Sequence, residues 1–365
     1  MGMGSVFVGF FSMMSLLLMS FPIAVIMVLL GVVGGVVLYG WPLLNSMGPV
    51  IWGVQNENIL TAIPLFVLLG ELLLRSGIAD RMYGALSLWL GRLPGGLLHT
   101  NIGCCSLFAA TSGSSVATAA TVGTVALPAL KSRGYGARQS LGSLAAGGTL
   151  GILIPPAIIF AVVMGSIYFG IATPTESAAL GVVTALLFAW REGKLSLEFF
   201  DHCFRQTAKT TGMILLIITA AFMLNVTLAL GGIAQTMTEW VASFGLSPAG
   251  LLMALIVFYL FLGMFMDVLS MQVLTIPVAL PIVTAVGIDP IWFGIFIVLM
   301  CELGMITPPV GMNLYVVQGV RRDGGPFRDV VYGAIPYALI MILFTILLIE
   351  VPEIVLWLPE SMSGR

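Results

Sequence analysis

Long stretches of this chain carry no charge at all. The first Asp, Glu, Lys or Arg is Glu57, and none lies between Arg92 and Lys131, between Arg138 and Glu176, or between Glu302 and Arg321. A helix crosses a bilayer in about 20 apolar residues, so the longer gaps have room for more than one helix or a hairpin. Strands of a membrane β-barrel would alternate polar and apolar residues, and these runs do not. Hydrophobic residues make up 59% of the chain and charged ones only 8%, against about 25% charged in soluble domains. These properties make the fold class an all-α polytopic membrane protein.

The formal net charge of −2 singles out no partner, and no basic patch points to nucleic acid. The apolar N-terminal run lacks a basic n-region and reads as a first membrane helix and not as a cleaved leader. Cys104, Cys105, Cys203 and Cys301 have neither metal-ligand spacing nor a paired framework and read as small apolar fillers. His99 and His202 have no Cys or carboxylate at ligand spacing, so no metal site is expected from them.

Cytoplasmic loops collect Lys and Arg. The basic residues fall into four groups: Arg75, Arg81 and Arg92; Lys131, Arg133 and Arg138; Arg191, Lys194, Arg205 and Lys209; and Arg321, Arg322 and Arg328. From Lys209 to Arg321 only acids occur, at Glu239, Asp267, Asp289 and Glu302. The chain must therefore return to the cytoplasm by Lys131 and again by Arg191. It crosses outward over 212–232, comes back before Arg321, and crosses outward over 330–350. The run 5–38 is interrupted at Phe21-Pro22 and reads as one broken helix or two short ones, which leaves the side of the N-terminus open.

The sequence also holds a faint copy of itself. A shift of 153 residues carries Leu107-Phe108 onto Leu260-Phe261, Ala126-Leu127-Pro128 onto Ala279-Leu280-Pro281, Leu150-Gly151 onto Leu303-Gly304, and Pro155-Pro156 onto Pro308-Pro309. The first copy begins and ends beside basic residues, and the second lies in the basic-free interval. The copies therefore point in opposite directions, as inverted repeats do in secondary transporters, whose sites sit near the midplane where broken helices meet.

Each copy carries two interruptions. Segment 98–130 reads as a re-entrant hairpin with arms of about 15 residues and a small, hydroxylic tip at Ala110–Ser115. The equivalent tip, Phe265–Ser270, carries a carboxylate, Asp267. The second interruption is the Pro-Pro pair, which removes two backbone donors and disfavours helix just before it. Upstream carbonyls are freed as hard ligands for a small cation, and a half-helix starting at the prolines offers its positive end to an anion. Small residues at the tips read equally well as packing surfaces, and Pro-Pro as a plain kink. Asp267 and Glu302 favour function, because an unpaired charge in lipid is expensive. Thr173-Pro174-Thr175-Glu176 reads as a capping box opening a helix that runs to Trp190.

The strings 108–117, 145–156, 170–176 and 307–314 together resemble the large membrane subunit of tripartite ATP-independent periplasmic (TRAP) transporters, in the ion transporter superfamily. The likeness covers nearly the whole chain. It implies an elevator-type transporter of the bacterial inner membrane with sodium as coupling ion and no other cofactor. It implies a small membrane partner subunit and a periplasmic solute-binding protein that delivers an organic acid such as a dicarboxylate or sialic acid. Carried onto this sequence, Ser114, Ser115, Gly151 and Ile154 would form one sodium site, and Asp267, Ser270, Gly304 and Thr307 the other. Ser112, Gly113, Pro156, Pro309, Gly311 and Asn313 would lie near the substrate. The implied organisation is N-terminal scaffold helices (1–92), first-repeat transport elements (93–165), connecting scaffold (166–239), second-repeat transport elements (240–320) and a C-terminal scaffold helix (321–365).

The sequence departs from the family in one place. Only Ala157–Phe169 separates Pro156 from the Gly170 motif, where the family has an outward helix, a charged loop and an inward helix. Two other readings remain: an anion carrier or antiporter of the same superfamily, coupled to sodium or protons and working without a binding protein, and an intramembrane enzyme. The latter needs a catalytic pair that Asp267, Asp289 and His99 are poorly placed to supply, so no catalytic residue is assigned.

Overall fold

The computed structural model describes residues 3–19, 21–76, 86–112, 115–149, 165–167 and 170–363. The described residues form helices joined by short turns, with no strand among them. Among the described residues three helices are long and apolar enough to cross a membrane: Leu197–Leu230, Val268–Ala285 and Arg328–Glu350. Two of them contain the outward passages read from the basic residues. The first starts well before residue 212, because 197–211 is an amphipathic extension carrying Glu198, Asp201, Arg205 and Lys209. The chain divides into two compact units, one of Met1–Asn56, Ile214–Gly304 and Ile340–Arg365, the other of Glu57–Met213 and Met305–Leu339.

In the second of these units, helices Leu97–Ser112 and Ser115–Ser132 pack on each other and both pack on Ala137–Thr149. The arms have 16 and 18 residues, somewhat longer than the sequence suggests. Pro128 is accommodated inside the second arm. The Asn101 amide donates to Ser143 Oγ at 2.8 Å and ties the first arm to helix 137–149. At its other face that helix meets Arg328–Glu350 with no side chain between them: a Cβ on Gly142 would collide with the Gly333 carbonyl. Short approaches of this kind bind membrane helices by dispersion and not by the hydrophobic effect. Arg138 Nε reaches Asp329 at 3.1 Å beside this crossing, and its guanidinium lies over the Tyr332 ring. The second and fourth basic groups thus meet, as a shared cytoplasmic side requires. The first and third groups do so too, since Leu72, Leu73, Ala189, Phe199 and Cys203 form one buried cluster.

The capping box is present. Thr173 Oγ1 accepts from the Glu176 N–H, and Glu176 Oε2 accepts from the Thr173 N–H at 2.8 Å, opening helix Pro174–Arg191 with proline at its first position.

In the other unit, the N-terminal run proves to be two helical stretches. Met3–Leu18 ends before Pro22, and Pro22 caps a second stretch from Ile23 to Tyr39 that widens into a π-turn over Leu29–Gly34. The Thr227 hydroxyl donates to the Gly31 carbonyl within that π-turn at 2.6 Å. Ala24 and Met27 pack on Ile217, Ala220, Ala221 and Leu224 of helix 197–230. Helix Pro248–Gly263 packs on Val268–Ala285, and the Tyr259 hydroxyl donates across the pair to Thr275 at 2.7 Å.

Candidate functional site

The second-repeat tip is a tight turn between two helices. Met264–Met266 leave the helical path, and Asp267 takes extended angles (φ −75°, ψ 164°) as the N-cap of helix 268–285. Its Oδ2 accepts from the Ser270 N–H at 3.3 Å. The Asp267 carboxylate is therefore a helix cap as well as a charge. Ser270 is 1% exposed, and its hydroxyl finds no partner among the described residues. Next to this tip, Gly263 and Gly304 touch backbone to backbone, which brings the end of helix Pro290–Met305 against the turn. Glu302, fully buried, lies one turn back on that helix.

The Pro-Pro pair breaks the chain as expected, but the half-helix does not start at the prolines. Helix 290–305 ends at Met305, residues 306–310 form a turn containing a cis Pro308–Pro309 bond, and the next helix runs Met312–Val320. Gly311 is the reason. Its extended angles (φ −39°, ψ 120°) make it the N-cap, and its N–H donates to the Thr307 carbonyl at 3.1 Å. A Cβ there would stand 2.5 Å from the Met305 carbonyl oxygen and 3.0 Å from that of Thr307. The carbonyls of Met305 and Thr307, both upstream of the prolines, thus face Gly311, and that of Thr307 accepts its N–H.

Asn313 sits in the first turn of the new helix. It is wholly buried, yet neither its amide oxygen nor its amide nitrogen has a partner among the described residues. An amide so placed costs about 1–3 kcal/mol unless something beyond the described residues satisfies it. Thr307, Pro309, Gly311 and Asn313 are thus neighbours along one turn. In the other unit, Gly304 lies against Gly263, just ahead of the turn that carries Asp267 and Ser270.

Of the first-repeat residues, Ser115 is described. It is buried at the start of helix 115–132, and its carbonyl oxygen would lie 3.1 Å from a Cβ on Gly148. Helix 137–149, which leads into the first Pro-Pro segment, therefore ends against the tip of the first hairpin. Ser112 closes helix 97–112. The Ser112 side chain and Gly113, Ser114, Gly151, Ile154 and Pro156 lie outside the described residues, as does most of the shortened passage 157–169.

The family described as the tripartite ATP-independent periplasmic transporter, DctM component, matches residues 10–165 and 157–354. The chain belongs to this family. The TRAP large permeases it resembles include the C4-dicarboxylate protein DctM of Rhodobacter capsulatus, 30% identical over 85% of this chain and 89% of that protein. The sialic acid protein SiaM of Vibrio cholerae is 27% identical over 86% and 88%. The ectoine protein TeaC of Halomonas elongata is 26% identical over 96% and 97%. These relatives are transporter permeases and not enzymes, and the chain is an integral membrane protein of their class. Alignment with the ectoine protein runs for 422 positions against 365 residues here, so at least 57 positions (422 less 365) face no residue of this chain. The two parts of the family match overlap at 157–165, within the stretch that reads as shortened in the sequence.

Proposed function

We propose that this chain is the large subunit of a sodium-coupled importer of small organic acids in the bacterial inner membrane. A small membrane subunit and a periplasmic solute-binding protein complete the system. In this reading the acid meets the positive end of helix 312–320, where the Asn313 amide binds it. Sodium is held by carbonyls freed at the two Pro-Pro breaks, by Ser114 and Ser115 at one tip, and by Asp267 and Ser270 at the other. The two hairpins and broken helices move together as the elevator.

The observation that carries the reading is Asn313, fully buried just past the Pro-Pro turn with both polar atoms unpartnered among the described residues. Buried amides in native proteins are nearly always satisfied. A first-turn asparagine beside the Pro-Pro turn suits a carboxylate ligand with an accompanying cation. The relatives transport C4-dicarboxylates, sialic acid and ectoine, which are all small and carry carboxylates, and this chain is assigned the same broad class.

Thermal unfolding of the purified protein in detergent tests the reading, with sodium titrated against potassium at constant ionic strength. A ligand that binds only the folded state raises stability with its concentration. A saturable rise in sodium, enlarged by one member of an organic-acid panel, is expected. Identical curves in both salts would remove sodium from the mechanism.

A further inference from the structure

Two of the basic groups that set the topology meet at one cavity. It has a volume of about 370 Å³, toward the small end of the roughly 300–1,000 Å³ of ligand pockets. Its walls come from the last turns of helix 115–132, the opening of helix 137–149 and the stretch 320–323, all in one compact unit. Lys131, Arg321 and Arg322 line it, against a single acid, Asp323.

The three cations do different things. Arg321 is committed to a clamp: it pairs with Asp323, reaches Asp329 at 3.4 Å and donates to the Pro326 carbonyl at 3.1 Å. The clamp fixes the wall in place. Lys131 and Arg322 are exposed, and Lys131 adds only the last of the influences that act on Asp323. Ala137 also lines the cavity, so the positive end of a 13-residue helix adds to the same potential. The Tyr135 phenol accepts from the Leu97 N–H at 3.0 Å, which leaves its own proton to give. Behind the cations the wall is apolar, at Leu127, Leu141 and Val320.

A preformed cavity with a cationic rim, a hydroxyl donor and an apolar back wall suits an oxyanion attached to a hydrocarbon body. We propose that it binds a phosphate group. An anionic phospholipid of the cytoplasmic leaflet is the source that also uses the apolar wall, and free inorganic phosphate is the other source of the same chemistry. The site is independent of the coupling ion and of the transported acid.

Thermal unfolding and native mass spectrometry of the full chain test this, with phosphatidylglycerol, phosphatidylcholine and inorganic phosphate added separately. Phosphatidylglycerol is expected to raise the unfolding temperature saturably and phosphatidylcholine to leave it alone. The double variant Lys131→Gln/Arg322→Gln should weaken that binding roughly thirtyfold, about fivefold per cation. Arg133→Gln, an exposed neighbour that does not line the cavity, should leave it unchanged. Thr124→Trp, which keeps every charge and fills an exposed position in the wall, should abolish it and stands in if the double variant fails to fold. An equal rise from inorganic phosphate, lost in the same variants, supports the site with the free anion as its ligand. No rise from either source overturns the proposal. So does a rise that persists in the Lys131/Arg322 and Thr124 variants, or one that Arg133→Gln weakens just as much.

Discussion

Gly304, four residues ahead of the Pro308–Pro309 pair, lies against Gly263 of the neighbouring helix with no room for a methyl group. A Cβ on Gly304 would come within 2.6 Å of the Gly263 Cα. The contact is backbone on backbone, so no flexible side chain can yield. Gly304→Ala should destabilise the protein by about 1–3 kcal/mol, the usual cost of overpacking. Gly294→Ala on the same helix meets nothing within 4 Å and should be neutral or stabilising. Unfolding temperatures of the two variants in one detergent check the contrast.

Asp267 combines two roles that substitution separates. Asn accepts the N-cap hydrogen bond about as well as Asp, whereas Ala loses it at about 1 kcal/mol. In potassium, Asp267→Asn should therefore unfold with the wild type and Asp267→Ala below it. In sodium, both should lack the rise seen in wild type. A full sodium response in Asp267→Asn would take this carboxylate out of the cation site.

Asn313 should behave as a functional residue and not as a structural one. Asn313→Leu keeps the branched shape and the number of heavy atoms and removes an amide with no partner among the described residues, so the substrate-free protein should be unchanged or more stable, by up to about 1–3 kcal/mol. Uptake in proteoliposomes with its partner proteins should be lost. Stability lost together with activity would mean that the amide holds the fold.

The Arg321 clamp should weaken in acid. The hydrogen bond from Arg321 is the largest of the influences holding the Asp323 carboxyl below the usual aspartate range. Folded, the group binds a proton less readily than unfolded. Its contribution is therefore complete above the ordinary aspartate value and fades as pH falls through the lowered one. The Gly325 N–H donates to Asp323 Oδ1 at 3.2 Å. Its hydrogen-exchange protection, corrected for intrinsic rate, should drop over that acid window in wild type and show no such step in Asp323→Asn.

Features governed by local chemistry are legible in the sequence. Thr173 and Glu176 are three residues apart, and their reciprocal hydrogen bonds come from that spacing alone. Pro22 announces the N-terminal break, although only the backbone shows that Ile23–Tyr39 is a continuous stretch widened by a π-turn. Asp267 reads as a charge, yet an acid just ahead of an apolar helical run is also a capping signal. The proline pair reads as the start of the half-helix, whereas Gly311 provides the extended N-cap and sets the start at Met312, three residues past Pro309. Nothing in the sequence announces the Gly263–Gly304 contact, the burial of Asn313 or the meeting of Lys131 with Arg322. Each depends on segments far apart in the chain, and a residue's own type does not say which neighbour it will meet.

The crossing of Gly142 and Gly333 has a consequence for how such a chain can change over generations. A side chain added at either position collides with main chain on the other helix, so enlarging one residue and trimming its neighbour brings no relief, because glycine is already the smallest. No sequence of single replacements leads away from this pair while the helices keep their spacing. Diversification must go round it, through the lipid-facing and cavity-lining positions, and the crossing stays as a fixed hinge-pin inherited whole.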